Sequence, residues 1–197
     1  MFPSSSLLNL SDRGIYHSFK RRTIFPDATY TYNLWKIEAG IVRTLTWLED
    51  GSIVTLGLWG QGDLVGQALS KIAPYTIECL TAVEVISFAW EDGHQLTENL
   101  LNQIQQFEEL SIIRSSKKLD IVLIKFLTWL AKKFGRQIEI GYLIDFKLTH
   151  QDLGEILGVT RVSITRSLKQ LEEQGIIERL SLSRILVREE EVWYYEI

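Results

Sequence analysis

The spacing of hydrophobic residues changes along the chain from a period of two to a helical period. Between about residues 31 and 90 apolar and polar positions alternate, as in residues 41–48, which predicts β-strands. Glu49, Asp50 and Gly51 break one such run and residues 52–59 resume it, a pattern typical of a β-hairpin. Because glycine-rich turns follow over residues 57–66, we predict an antiparallel barrel or roll; an antiparallel sandwich fits the same strands.

The helical period begins near residue 96. Apolar or small residues recur there at steps of four, four, three and four, as in the seam of a coiled coil. The positions are Leu96, Leu100, Ile104, Phe107 and Ser111. We therefore predict a long helix over about 96–116 that joins two copies of the chain; packing on its own β-domain fits the same positions and can coexist with this. Residues 115–118 interrupt the rhythm, which predicts a hinge and then a helix over 121–134, capped by Asp120.

Residues 148–179 carry the pattern of a helix-turn-helix. Thr149 can cap a short helix, and Asp152 three residues later can return the hydrogen bond. Glycines at 154 and 158 allow a close approach and a turn. Thr160 can cap a second helix that runs to about residue 174, and Gly175 follows as a stop signal. These signals agree on two short helices joined by a tight turn.

The second of these helices has two chemically different faces. At about 100° per residue, one side collects three cations, a hydroxyl and a small apolar group, namely Arg161, Val162, Thr165, Arg166 and Lys169. The apolar residues at 164, 168 and 171 fall on the other side. The first face suits a DNA major groove, where arginine binds guanine, valine contacts a thymine methyl, and lysine or threonine binds phosphate. An amphipathic helix with a solvated basic side is the alternative.

A second hairpin follows the basic helix. Two apolar-rich runs, residues 176–180 and 184–187, flank residues 181–183, and residues 143–148 alternate as a short strand would. The position of this hairpin after the helix pair predicts the wing of a winged helix. Arg179 and Arg184 near the wing can contact phosphates or remain solvated.

Two segments resemble a known family. T-R-V-S-I-T-R-S-L-K-Q-L-E-E-Q-G-I-I at residues 160–177 resembles the recognition helix of the Crp/Fnr family of bacterial transcription regulators. Arg161 and Arg166 match its two arginines, and Val162 stands where many members have glutamate, a variant similar to the NtcA-type nitrogen-control regulators of cyanobacteria. L-W-G-Q-G-D-L-V-G-Q at residues 58–67 resembles the phosphate-cassette approach of cyclic-nucleotide-binding β-rolls, with Gly62 and Gly66 at its turn glycines.

The resemblance implies an α+β fold in three parts. These are an N-terminal antiparallel β-roll, cyclic-nucleotide-binding-like, over residues 1–94, a long dimerisation helix with its hinge over 95–117, and a C-terminal winged helix-turn-helix domain over 118–197. The resemblance also implies a homodimer on a palindromic site in double-stranded DNA, with RNA polymerase as a protein partner. The residues expected at the DNA are Thr149, His150, Gln151, Thr160, Arg161, Val162, Ser163, Thr165, Arg166 and Lys169.

The residues that the family uses to bind its effectors are only partly present. Family members that bind cyclic nucleotides use a glutamate after the turn glycine and an arginine for the phosphate, whereas Gln67 follows Gly66 here. No arginine occurs between Arg43 and Arg114. Because a buried phosphate without a cation is costly, we do not expect cyclic AMP to bind. The same reasoning disfavours 2-oxoglutarate, a dicarboxylate. The residues expected around an effector, whose identity stays open, are Gly62, Gly66, Gln67 and Arg114.

A β-roll that docks a protein and binds no small molecule is a second interpretation. It would explain the missing pocket residues as a loss of ligand binding. Exposed aromatic side chains would favour this interpretation, and a closed polar cavity would favour a ligand sensor. The aromatic candidates are Trp35, Trp47, Trp59 and Tyr75.

Composition narrows the classes of function. The formal net charge of −4 hides the local basic face. Cys79 is the only cysteine, which excludes a disulfide framework or an iron–sulfur cluster, and we expect it to be buried. None of the three histidines has a second axial ligand in view, so no heme or other cofactor is expected. Neither a membrane span nor a signal peptide is recognisable, which predicts a cytoplasmic protein. No nucleophile–base pair suggests an enzyme.

Overall fold

The computed structural model describes residues 14–26, 33–89, 96–181 and 184–188. The first half of the chain forms strands that belong to two sheets. They are β1 (Ile15–Phe19), β2 (Asn33–Ala39), β3 (Val42–Trp47), β4 (Ile53–Trp59), β5 (Leu64–Val65), β6 (Thr76–Cys79) and β7 (Val83–Ala89). One sheet has the order β1-β7-β2-β5 with antiparallel pairs, and the other has the order β4-β3-β6.

The hairpin predicted around Gly51 is confirmed. Strands β3 and β4 are neighbours in their sheet, and Gly51 in the turn has a φ of 79°, which favours glycine. The Leu48 N–H donates to the carbonyl of Ser52 at 2.9 Å and closes the turn. Both N–H and hydroxyl of Ser52 donate to the Asp50 carboxylate, which lowers the pKa of Asp50.

The second half of the chain is helical with a small sheet. Its helices are α1 (Thr97–Arg114), α2 (Leu119–Phe134), α3 (His150–Leu157) and α4 (Arg161–Glu173). Its strands are β8 (Arg136–Ile138), β9 (Gly141–Ile144), β10 (Ile177–Leu180) and β11 (Arg184–Arg188). They form an antiparallel sheet in the order β10-β11-β9-β8, which confirms the hairpin predicted after the basic helix. The strand predicted over residues 143–148 is displaced, since β9 ends at Ile144.

Two compact units make up the chain. One comprises residues 1–44 and 59–100, and the other comprises residues 45–58 and 101–197. The distal part of the β3–β4 hairpin therefore belongs to the same unit as most of α1 and the C-terminal helices. The sequence-based domain boundaries at residues 94 and 117 stay a prediction.

At its N-terminal end the predicted seam of α1 packs on the chain's own β-domain, which is one of the two arrangements that the sequence left open. Leu96 is 5% exposed and lies in a buried cluster with Leu34, Leu64 and Phe88, against which Leu100 packs. The apolar side chains of α1 that are exposed to solvent all come after Leu100. The exposed apolar side chains of the helix are Leu101, Ile104, Phe107 and Ile112. The seam residues thus divide between a core inside the first unit and an exposed face of α1 in the second.

The start of α2 also differs from its prediction. Its N-cap is Lys118, with no side-chain capping bond, and the helix begins at Leu119, two residues before the predicted start. Asp120 lies in the first turn, where a carboxylate is favourable beside the positive end of the helix dipole. The core face of α2 is confirmed, because its predicted apolar positions are all buried. They are Leu123, Phe126, Leu127 and Leu130.

Cys79 is buried, as predicted. Its side chain is fully shielded in the first unit. Burial and the neighbouring Glu78 charge raise the pKa of its thiol to about 12. In the part of the chain that the structure describes, no helix is both long and apolar enough to cross a bilayer.

Candidate nucleic-acid interface

Helix α3 begins at the predicted capping box. The Thr149 hydroxyl accepts from the backbone N–H of Asp152 at 3.1 Å, and the Asp152 carboxylate accepts from the N–H of Thr149 at 2.9 Å. The same hydroxyl donates to that carboxylate at 2.7 Å. Asp152 is fully buried, and these bonds satisfy it. The hydroxyl of Thr149 is therefore committed to the helix start, and its contact with DNA stays a prediction.

The turn between α3 and α4 needs glycine at two positions. Gly158 has a φ of 69°, and its N–H and that of Val159 both donate to the carbonyl of Gly154. A Cβ added at Gly154 would lie 2.8 Å from the carbonyl oxygen of Val159. This contact confirms the close approach predicted for that glycine. Thr160 then caps α4 by accepting from the N–H of Ser163 at 3.1 Å, also as predicted.

Helix α4 separates its faces as its sequence predicts. The buried side holds Ile164, Ser167, Leu168 and Leu171. The opposite side is exposed and lines one shallow depression formed by Arg161, Val162, Thr165, Arg166 and Lys169. This set is called the basic face of α4 below.

The charges of the basic face differ in how far they are neutralised. The Lys169 ammonium lies 3.4 Å from the Glu173 carboxylate one turn later. Within the described residues, neither Arg161 nor Arg166 forms a salt bridge. Val162 is 69% exposed between them. An apolar group exposed among unneutralised guanidinium groups matches the chemistry of a base edge, which offers acceptors and a methyl group.

His150 connects α3 to the basic face. Its Nδ1 lies 2.8 Å from the Thr165 hydroxyl, which itself donates to the carbonyl of Arg161 at 2.9 Å. Because the Thr165 hydroxyl has a single proton, both contacts can be hydrogen bonds at once only when the Nδ1 of His150 carries a proton. Burial, followed by the charges of Arg179 and Arg161, lowers the pKa of His150 below its ordinary value.

A cavity of about 210 Å³ opens beside His150. It is lined by Leu148, His150, Leu168, Arg179, Leu180, Arg184 and Ile185. Its two arginines already have carboxylate partners. Arg179 pairs with Glu172, and Arg184 donates to Asp145 at 3.2 Å. The Arg179 contact lowers the pKa of Glu172, and hydrogen bonds from Arg136 first and then from Arg184 lower the pKa of Asp145. Sequence reasoning named the arginines as possible phosphate contacts but missed their acids, since Glu172 lies 7 residues from Arg179 and Asp145 lies 39 residues from Arg184.

The remaining polar residues expected at the DNA bond to near neighbours. Gln151 donates to Glu155 at 2.8 Å, and the hydroxyls of Thr160 and Ser163 lie 2.9 Å apart. Gln151 and Thr160 are exposed, and Ser163 is partly exposed. All three lie within the helix-turn-helix, and their DNA contacts stay a prediction.

Three of the four residues expected around an effector lie in one loop of the first unit. Gly62 has a φ of 87°, and its carbonyl accepts from the side chain of Asn99 at 2.8 Å. Gly66 is buried, and the Gln67 amide donates to the carbonyls of Ser70 at 3.0 Å and Ile72 at 3.1 Å. The Gln67 amide therefore holds the loop together.

Arg114, the fourth of these residues, is engaged within the second unit. Its Nη2 donates to the carbonyls of Thr55 at 3.2 Å and Ile156 at 3.1 Å. Burial lowers its pKa. The residue is exposed overall, and its guanidinium is bound to two backbone carbonyls.

Sequence reasoning missed a buried ionic cluster in the first unit. Arg43, only 3% exposed, donates to Glu78 at 2.7 Å, and Arg22 donates to the other carboxylate oxygen of Glu78 at 2.9 Å. The available signal was the position of Arg43, which shares the strand face of Ile41 and Leu45, an otherwise apolar face. Among the described residues no group of three or more potential ligands could hold a metal ion.

Known proteins are similar to this chain in both sequence and fold. Residues 122–192 match the Crp-like helix-turn-helix domain. Regulatory protein CysR of Synechococcus elongatus is 38% identical over 164 residues, which are 82% of this chain and 79% of that protein. The global nitrogen regulator of Nostoc sp. is 29% identical over 181 residues, 83% of this chain and 81% of that protein.

Solved structures agree with the sequence matches. FixK2 of Bradyrhizobium japonicum superposes with a TM-score of 0.77 at 16% identity, covering 93% of this chain and 98% of its own. The predicted α+β architecture, an N-terminal antiparallel β-roll followed by a helix and a C-terminal winged helix-turn-helix, is thereby confirmed.

Proposed function

This chain belongs to the Crp/Fnr family of transcription regulators, and from that premise we propose that it acts as a homodimer on a palindromic DNA site. DNA binding itself follows from the family. The observation that carries the finer proposal is the basic face of α4, where Arg161 and Arg166 are exposed beside Val162.

We further infer that the protein works in the cytoplasm, where its DNA partner lies, and that it acts there together with RNA polymerase. We also infer that it is not an enzyme.

The homodimer is supported by the exposed apolar side chains of α1. Leu101, Ile104, Phe107 and Ile112 are between 45% and 55% exposed on this helix. Apolar residues at this spacing need a partner surface. A second copy of α1, related by a two-fold axis, would cover them and leave the two α4 helices about 34 Å apart, one DNA turn.

The half-site is proposed to be of the NtcA type, GTA followed by a spacer and TAC. Arg161 can bind the guanine bidentately, and the exposed isopropyl group of Val162 suits a thymine methyl. A glutamate at this position, as in many family members, would accept from cytosine instead. Val162 lacks an acceptor, and its half-site should therefore differ from the TGTGA type.

Substitution of Val162 tests this half-site. We expect Val162→Glu to move base preference at the contacted position toward C·G by about 5- to 150-fold, the range for one good base contact. Selection of bound duplexes from a random pool measures it. Val162→Ala is the matched control, because it shortens the apolar contact without adding an acceptor and should gain no C·G preference. An unchanged preference in the glutamate variant would show that Val162 only fills space.

Cyclic AMP is proposed not to control this protein. The Gln67 amide is bonded to the carbonyls of Ser70 and Ile72 in its own loop. We expect titration calorimetry to show no binding of cyclic AMP, with a cyclic-AMP-responsive family member as the positive control. Saturable heat with a micromolar Kd would contradict this prediction.

Two alternative functions remain for the β-roll of the first unit. A 2-oxoglutarate-responsive regulator needs cations, and the buried Arg43 of the first unit is bonded to Glu78. A protein-docking platform would expose aromatic residues, yet Trp35, Trp59 and Tyr75 are buried, and Trp47 alone of the four candidates is exposed, at 39%. This burial disfavours a docking surface built from those aromatics.

DNA binding is expected to strengthen as pH falls. A phosphate at His150 would favour the imidazolium, which donates from both nitrogens, over the neutral ring facing Arg161, Arg179 and Arg184. The pKa of His150 is lowered in the free protein and should rise in the complex, so affinity should increase as pH decreases between these two values and level off below the lower one. Glu172 and Asp145, which pair with Arg179 and Arg184, stay ionised in this range because their pKa values are lowered.

Fluorescence titrations of a labelled duplex at pH about 8 and about 6 measure this dependence. His150→Gln should remove it. His17→Gln is the matched control, since His17 bonds to Ser87 in the first unit and should leave the dependence intact. A dependence that survives in His150→Gln would rule out the protonation of His150 as its source.

A further inference from the structure

The C-terminal end of α3 is capped by side chains from distant parts of the chain. The last carbonyls of a helix have no partners within it. In α3 the Gly154 carbonyl accepts from the turn that follows, whereas the Ile156 carbonyl accepts from Arg114 Nη2 at 3.1 Å. The neighbouring Glu155 carbonyl accepts a longer bond, 3.4 Å, from the Thr55 hydroxyl.

Arg114 is the last residue of α1 and holds two segments at once. The nitrogen that binds Ile156 also donates to the Thr55 carbonyl of β4 at 3.2 Å. A cation at the C-terminal end of a helix is favourable with the helix dipole, and bonds from a charged donor are stronger than neutral ones. Both acceptors are backbone atoms, so the contact sets where the α3 backbone lies relative to the end of α1.

A second set of polar contacts joins α1 to β4 and α2. Gln106 of α1 is buried, donates to the Leu58 carbonyl of β4 and accepts from the Lys133 ammonium of α2 at 2.6 Å. The Trp129 indole of α2 donates to Glu109 of α1 at 2.7 Å. Hydrogen bonds thus link α1 to β4, α2 and α3, and each of these bonds has one partner among the α1 side chains Gln106, Glu109 and Arg114.

We propose that Arg114 is a positioning residue for DNA recognition, because it fixes α3, and through the tight turn α4, to the helix that joins the dimer. The proposal rests on the proposed homodimer. Three residues separate Ile156 from Thr160, the N-cap of α4, and Gly158 closes that turn in the left-handed conformation. In a dimer joined through α1, Arg114 therefore sets the separation and rotation of the two recognition helices.

Discrimination between half-site spacings reports this role. One extra base pair between half-sites moves them apart by about 3.4 Å and rotates one against the other by about 34°. The wild-type chain should lose about tenfold in affinity on such a site, whereas Arg114→Gln should lose less than about threefold. On the best spacing, Arg114→Gln should bind about tenfold more weakly than wild type, the scale of a lost charged hydrogen bond.

Two variants separate positioning from other effects. Lys117→Gln removes a cation three residues away, in the turn after α1, and should keep both affinity and spacing preference within about twofold. Arg161→Ala should lose affinity but keep the spacing preference, since it alters base contact alone. A wild-type spacing preference in Arg114→Gln, or an equal change in Lys117→Gln, would overturn the positioning role.

Hydrogen exchange on the free protein tests the contact without DNA. Amides of the α3–α4 turn should exchange about tenfold faster in Arg114→Gln, with α2 unchanged. Should the glutamine variant not fold, Arg114→Lys carries both measurements, because one ammonium replaces the guanidinium and should give intermediate values. A wild-type chain that binds no palindrome would refute the proposed function, and unchanged exchange in the variants would refute the role of Arg114.

Discussion

Arg161→Ala is expected to weaken binding to the specific palindrome by about 5- to 150-fold per contacted half-site, the cost of one lost bidentate contact to guanine. The side chain is exposed at the start of α4 and has no salt-bridge partner within the described residues, so its donors are available to a base edge. Mobility shifts on the palindrome and on a scrambled duplex of equal length give the two affinities. The loss on the scrambled duplex should be several-fold smaller, because only phosphate attraction remains there.

Lys169→Ala supplies the matched control on the same helix face. Lys169 lies two turns further along α4 and is already within 3.4 Å of Glu173. Its removal should lower affinity for both duplexes by a similar, smaller factor and reduce the salt dependence of binding. If Arg161→Ala lost as much on the scrambled duplex as on the palindrome, Arg161 would be a phosphate contact and the base contact would have to be assigned elsewhere.

The helix-turn-helix could be predicted almost residue by residue because its determinants are local. A capping box joins residues three apart, so Thr149 and Asp152 predict the start of α3 from the sequence alone. The same holds for the cap at Thr160, for the left-handed Gly158 and for the two faces of α4. Each of these signals depends on neighbours within about one helical turn, and their agreement located the candidate DNA-binding face.

What the sequence left open or missed depends mostly on contacts between residues far apart along the chain. Leu96 has the period of a helix seam, but its partners Leu34, Leu64 and Phe88 come from the strands of the first unit. A hydrophobic period shows that one side of a helix is covered and leaves open what covers it.

The partners of buried or bonded polar side chains are equally hard to predict from local sequence. Arg114 binds carbonyls 59 and 42 residues away, and Arg43 meets Glu78 across 35 residues. Nothing in the local sequence of either arginine selects those partners over water. The one local sign is an arginine on an apolar strand face, which indicates that a buried acid must lie opposite it.

The second large effect is expected from a substitution in the exposed apolar face of α1. Ile104 lies 55% exposed at the middle of this face, with Leu101 and Phe107 one turn before and after it. In a two-fold interface each substitution occurs twice, and residues near the axis face their own copies. Ile104→Glu would therefore bring two carboxylates into a desolvated seam, where like charges and unpaired burial both oppose association.

We expect Ile104→Glu to convert the protein from a dimer to a folded monomer of 22.8 kDa. Its affinity for the palindrome should fall by about 100-fold or more, because a monomer loses the gain from binding two half-sites at once. Light scattering at micromolar concentration gives the mass, and a mobility shift gives the affinity. Asn102→Glu is the matched control: Asn102 is exposed on α1 about 140° from the centre of the apolar face, and its variant should stay dimeric. Since neither position lies in the buried core, both variants should fold, and the monomeric Ile104→Glu chain should unfold at a lower temperature than the dimeric control because it has lost the stabilisation from association. A wild-type chain that is monomeric, or an Ile104→Glu chain that stays dimeric and binds DNA normally, would show that α1 is not the dimer contact and that the recognition helices must be paired by another surface.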